Sequence, residues 1–92
     1  MAPGEPGEAQ RRGQATVIHV TIMNPDATLY EGEVAGVVLP GDRGDFEVLR
    51  FHKPLIGLLR PGRIVLGGGQ SLAVKRGVVR VNHDRLVALV EQ

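Results

Sequence analysis

The sequence has no cysteine, three aromatic residues (Tyr30, Phe46, Phe51), no long apolar run and almost no net charge. Each lack excludes something. Without cysteine there is no disulfide scaffold, no thiolate zinc site and no thiol nucleophile. Three scattered aromatics are a poor stacking platform for single-stranded nucleic acid. No run approaches the roughly 18–20 apolar residues that span a bilayer, and the first residues lack the apolar stretch of a signal peptide. A formal net charge of +1, from 11 basic and 10 acidic residues, argues against general phosphate binding. At 92 residues the chain is short for two domains. A small soluble, intracellular domain is expected.

What the chain does have is glycine (13) and proline (6), set between short β-branched runs. Residues 1–15, MAPGEPGEAQRRGQA, contain neither β-branched nor aromatic residues and read as a disordered tail. The folded domain is expected over 16–92. In Thr16–Met23, Ile18, Val20 and Ile22 alternate with His19 and Thr21, the pattern of a strand burying one face. Asn24-Pro25-Asp26-Ala27 reads as a turn, Thr28–Glu31 as a strand, and Gly32-Glu33 as a break before a strand at Val34–Leu39. Pro40-Gly41 suits the centre of a type II turn, and Phe46–Leu49 a fourth strand. Pro54–Leu59 is the one candidate for a helical turn. Pro61-Gly62 is a further turn. Arg63–Leu66 and Ser71–Lys75 flank a glycine hairpin at residues 67–70; Val78–Val81 and Leu86–Val90 flank another at Asn82-His83-Asp84-Arg85. Eight to ten short, mostly antiparallel strands with Gly/Pro punctuation predict an all-β domain, a flattened sandwich or barrel.

Charge is segregated along the chain. From Asn24 to Glu47, Asp26, Glu31, Glu33, Asp42, Asp45 and Glu47 stand against Arg43, a net of −5. From Val48 to His83, Arg50, Lys53, Arg60, Arg63, Lys75, Arg76 and Arg80 meet no acid, a net of +7. Pairing of acidic with basic strands is the expectation; the alternative is two faces that meet different partners.

Nothing in the residues carries catalysis convincingly. Ser71, the single serine, lies beside the glycine hairpin and outside any nucleophile elbow. His19, His52 and His83 have no metal-ligand spacing. Asp42 and Asp45 lack the dense oxygen pattern of a calcium loop, and Gly67-Gly68-Gly69 is followed by no Lys-Ser/Thr. No catalytic residue, metal site or cofactor is therefore assigned. Binding another protein is the expected work. A free-standing β-barrel that binds nucleic acid or a small ligand, motivated by the basic run from Arg50 to Arg80, is the alternative.

The order of segments adds to this. Val20-Thr21-Ile22-Met23-Asn24-Pro25-Asp26 leads to Leu29-Tyr30-Glu31-Gly32-Glu33-Val34. Then come Leu39-Pro40-Gly41-Asp42-Arg43-Gly44-Asp45-Phe46, His52-Lys53-Pro54-Leu55-Ile56 and Leu59-Arg60-Pro61-Gly62. Over residues 16–91 this succession resembles the amino-terminal domain of the epsilon subunit of rotary (F-type) ATP synthases. That family reads as a T-P-(D/E) turn, Y-x-G-x-V, P-G-x-x-G-x-(F/L)-G, P-G-H-A-P-L and a P-G turn. The sequence departs at Glu47, where the family has Gly, and at Arg50-Phe51, where it has Pro-Gly. Lys53 replaces Ala, and Arg76-Gly77-Val78-Val79-Arg80-Val81 replaces G-G-F-L-E-V. The two glycine replacements suggest altered backbone geometry at two bends.

The resemblance implies a noncatalytic central-stalk subunit that couples the gamma subunit to the membrane rotor ring of c subunits during ATP synthesis driven by protons or sodium. It implies a place on the cytoplasmic face of the inner membrane, peripheral, with no direct membrane insertion and no nucleic acid. Asp42, Arg43, Gly44, Asp45 and Phe46 match the segment that touches the ring, where Asp42 or Asp45 would pair with a ring cation. Asn24, His52, Leu55 and Gly57 match positions that face gamma. Leu55 and Ile56 suit core closure equally well. Full-length members carry two helices after the sandwich that restrain ATP hydrolysis. This sequence stops at Gln92, just after the last expected strand, so either a naturally short form or a truncated one, lacking those helices, is expected.

Overall fold

The computed structural model describes residues 17–92; the expected tail lies outside the described residues. Nine strands follow one another: β1 (Ile18–Met23), β2 (Thr28–Val34), β3 (Val37–Gly41), β4 (Gly44–Val48), β5 (His52–Leu59), β6 (Gly62–Leu66), β7 (Ser71–Val74), β8 (Arg76–His83) and β9 (Arg85–Glu91). The all-β expectation holds. The strands form one sheet in the order β2-β1-β9-β8-β5-β3-β6-β7, with β4 added to β3. Every pairing among the described residues is antiparallel except β1 with β9, which run parallel. The first strand is thus held by the last.

The sheet curls into two halves. One is β2-β1-β9-β8-β5; the other is β3, β4, β6 and β7, joined to the first through the single register pair Gly41 and Leu59. Alternation places Ile18, Val20 and Ile22 of β1, Val79 and Val81 of β8, and Leu86, Ala88 and Val90 of β9 on the concave side. They meet Val37 and Leu39 of β3, Val48 of β4, Ile64 and Leu66 of β6, and Val74 of β7 in one buried cluster. This layer is aliphatic, as the aromatic-poor sequence requires.

Four expectations need correction. First, β2 does not stop at Gly32. It pairs with β1 up to Val34 opposite Ile18, and the break falls at Ala35-Gly36. At Gly32 the Tyr30 ring crosses the backbone, so a Cβ there would lie 2.9 Å from the Tyr30 hydroxyl and the ring would have to move aside. Second, Pro40 and Gly41 belong to β3, and the turn is Asp42-Arg43, with Gly44 taking the left-handed position at φ 126°. Third, Pro54–Leu59 is strand. The β5 ladder to β8 is irregular between His52 and Leu55, so Pro54, which has no N–H to give, occupies the irregular stretch. From Leu55 onward, pairing with β8 overrides any helical tendency.

Fourth, the acidic segment pairs with the basic one only through β3, which meets β5 and β6 and carries no acid itself. β2 pairs with β1, and β4 with β3, so the acids stay at the margins of the sheet. Among the described residues, opposite signs meet at Arg60 with Asp45 (3.2 Å), Arg50 with Asp84 (3.9 Å) and Arg76 with Glu91 (2.9 Å), the last pair also facing each other in the β8–β9 ladder.

Candidate interaction surface

The β3–β4 hairpin begins the site. Gly41 and Gly44 face each other across the two-residue loop Asp42-Arg43. The hairpin is tied down from the side. The Asp42 N–H donates to the Leu58 carbonyl (3.1 Å), the Arg60 N–H to the Pro40 carbonyl (2.8 Å), and Arg60 Nε to the Gly41 carbonyl (2.8 Å). One terminal nitrogen of Arg60 also donates to Asp45 Oδ1 at 3.2 Å. Asp45 therefore has a partner within the chain, which modifies the expectation that it waits for a ring cation. Asp42 and Arg43 are exposed and make no ion pair among the described residues. Phe46 is half-buried against the core.

Behind the hairpin lies β5. Asp42, Arg43, Gly44, Asp45 and Phe46 form one wall of an open groove whose other wall includes His52, Leu55, Gly57 and Leu58. The structure thus brings together the two sets of expected interface residues, apart from Asn24. Leu55 is half-buried against the core, in keeping with core closure, whereas Ile56 is 74% exposed. His52 Nδ1 lies 2.8 Å from the Lys53 carbonyl; since a carbonyl only accepts, this nitrogen carries the proton.

Asn24 stands apart. Its Oδ1 accepts from the Asp26 (2.8 Å) and Ala27 (2.7 Å) N–H groups, so it shapes the β1–β2 turn. The next residue, Pro25, lines a second depression with Leu58, Val78 and Leu89. Leu58 therefore borders both depressions.

That second depression belongs to a wider surface that sequence reasoning missed. On the convex side of β5, β8 and β9, Leu58 is in register with Val78 and Val78 with Leu89; Ile56 is in register with Arg80 and Arg80 with Val87. Ile56, Leu58, Val78, Val87 and Leu89 are all exposed, by 42–74%. Five large aliphatic side chains on neighbouring strands form a patch rather than the usual scatter. One signal was available. Leu86–Val90, L-V-A-L-V, is apolar at every position, and unbroken runs belong to strands covered on both faces.

The remaining sequence candidates are structural. Ser71 Oγ accepts from Arg63 Nε at 2.9 Å. His19 lies 3.4 Å from Glu31, and His52 sits opposite His83 in the β5–β8 ladder. No three His, Asp or Glu side chains among the described residues are grouped to hold a metal.

Comparison with known proteins agrees with this architecture. Residues 17–92 match the family model described as the ATP synthase delta/epsilon chain, beta-sandwich domain. The ATP synthase epsilon chains of Nitratiruptor and Sulfurimonas denitrificans are 35% and 36% identical over 78 residues, covering 80% of this chain and 60% of each relative. The chain thus spans about 60% of the length of these relatives. A chain of the Euglena gracilis mitochondrial ATP synthase (OSCP/F1/c-ring) superposes with a TM-score of 0.75 at 20% identity, over 84% of this chain and 52% of that one. One from the Tetrahymena thermophila central stalk and c-ring does so at 0.68 and 13%, over 82% and 63%. By its match along residues 17–92, the chain belongs to the ATP synthase delta/epsilon family, of which it carries the β-sandwich domain.

Proposed function

We propose that this domain is a noncatalytic element of the central stalk of an F-type ATP synthase, joining the gamma subunit to the rotor ring as protons or sodium ions turn the ring. The observation that carries the reading is the uncovered aliphatic patch Ile56, Leu58, Val78, Val87 and Leu89, set on a rigid ladder beside the Asp42–Phe46 hairpin. A subunit that couples two bodies needs two attachment surfaces that do not move relative to each other. Here β5 supplies both. Its edge backs the hairpin, and its outer side chains begin the patch. A stable protein interface buries about 1,200–2,000 Å² in total, with an apolar centre and a polar rim. In this reading the patch takes gamma and the hairpin, with its exposed Asp42, takes the polar loops of the ring. Asn24, His52, Leu55 and Gly57 flank the gamma contact. The domain is then held peripherally at the cytoplasmic face of the inner membrane through the ring.

Co-purification tests this. The tagged chain, expressed in its own organism, is expected to bring down gamma and the c subunits from detergent-solubilised membranes. Recovery of neither, with the chain folded, removes the proposal. Salt-sensitive capture of single-stranded RNA or DNA in their place favours the nucleic-acid alternative.

A further inference from the structure

Arg80 lies in β8 between the buried Val79 and Val81, so its side chain stands on the convex face. There it is in register with Ile56 of β5 on one side and Val87 of β9 on the other. Arg50, Arg60 and Arg76 have acidic neighbours, and Arg63 donates to Ser71. Arg80 makes no ion pair or hydrogen bond among the described residues. Along its own row the first acid is Glu31, reached across Val87 and Thr21. That is three strand spacings, about 14 Å, and Glu31 is already beside His19.

From this we infer that the segment docking on the patch carries a carboxylate that seats over Arg80. The inference rests on the stalk reading above and adds the chemistry of the partner. Anything apolar enough to cover Ile56 and Val87 also takes Arg80 out of water. A guanidinium desolvated without a counter-charge is strongly unfavourable, so a purely apolar partner is rejected. An apolar segment with one acid facing Arg80 satisfies both. An anionic lipid surface fits less well, because Glu31, Glu33 and Glu91 offset Arg76, Arg80 and Arg85 on the same face and leave it without net positive charge.

The test is titration calorimetry of the purified chain with the gamma subunit of the same organism, at low and high salt. Arg80→Glu is expected to weaken binding about thirtyfold or more at low salt and Arg80→Gln about tenfold, with a smaller salt dependence in both. Arg63→Glu, in the other half of the sheet, is expected to stay within about twofold, and all three variants to melt like the parent. Replacing one acid of gamma with Arg is expected to restore binding to Arg80→Glu. Parent-like binding of Arg80→Glu overturns the inference and leaves the stalk reading intact. Failure of the parent chain to bind gamma overturns the stalk reading and this inference with it. Arg80-dependent binding to anionic vesicles, or an Arg80-dependent homodimer in sedimentation, overturns it in favour of lipid or a second copy.

Discussion

The Phe51 N–H donates to the His83 carbonyl at 2.9 Å, and both residues sit in the left-handed region, at φ 66° and 57°. The pair closes one end of the β5–β8 ladder, where His52 faces His83. Left-handed backbone is ordinary for glycine and uncommon for a bulky side chain. Phe51 takes a conformation that glycine favours, with the Arg50 guanidinium stacked 4.7 Å from its ring centroid.

This bend yields a stability prediction. Phe51→Gly releases strain but loses the Arg50 stacking and gains unfolded-state entropy, terms of about 1 kcal/mol each. Its melting temperature is expected within a few degrees of the parent. Phe51→Val, β-branched and ill suited to positive φ, is expected to cost about 1–2 kcal/mol relative to Phe51→Gly. Denaturant melts of the two variants check this; equal stability would mean that the bend does not impose its backbone.

Gly77 is a second constrained site, for a different reason. It is in register with Val90 and with Leu59, and a Cβ there would lie 2.6 Å from the Leu89 carbonyl oxygen. Backbone cannot yield as a side-chain tip does. Gly77→Ala is expected to cost about 1–3 kcal/mol, lowering the melting temperature by about 4–20 °C for a domain of this size. An unchanged melt in calorimetry would contradict the close approach.

Much of this fold was legible in the sequence, and the misses share a cause. β1 and the two late hairpins were readable because alternation and turn residues lie next to each other in the chain. The run of β2 through Gly32, the strand character of Pro54–Leu59 and the place of Pro40 were not. Each is decided by a distant partner: Ile18 opposite Val34, Val81 opposite Leu55, and the Arg60 N–H on the Pro40 carbonyl. The site divides the same way. Asp42–Phe46 was visible as a motif, whereas the patch from Leu58 through Val78 to Leu89 draws on three strands and exists only once they pair. Asp45 appeared free because Arg60 is distant in sequence.

The two hairpin acids are therefore expected to behave differently. Asp42 has no ion-pair partner among the described residues, while Asp45 holds Arg60 with both side chains at least half exposed. Asp42→Lys is expected to leave the melt unchanged and to weaken retention on detergent-solubilised rotor ring. Asp45→Lys is expected to weaken retention and to lower stability by up to about 1 kcal/mol, since an exposed pair is lost and two cations are brought together. Retention on immobilised ring, read beside thermal melts, separates the two. Unchanged retention in both variants takes the hairpin out of the ring contact.

The aliphatic patch is open to test without disturbing the core. Leu58 is 57% exposed and Leu89 50%, and both point away from the buried cluster. Replacing either with Asp removes little buried apolar area, so the folded state is expected to lose less than about 1 kcal/mol. At the centre of an interface the same change places an unpaired carboxylate among apolar groups, and binding to gamma is expected to fall more than about a hundredfold. A truncation inside the core serves as the contrast: Ile22→Ala, at a fully buried position, is expected to cost about 2–5 kcal/mol while leaving the patch chemistry as it was. A Leu58→Asp or Leu89→Asp variant that melts normally and still binds gamma would show that this face points at water in the assembled stalk.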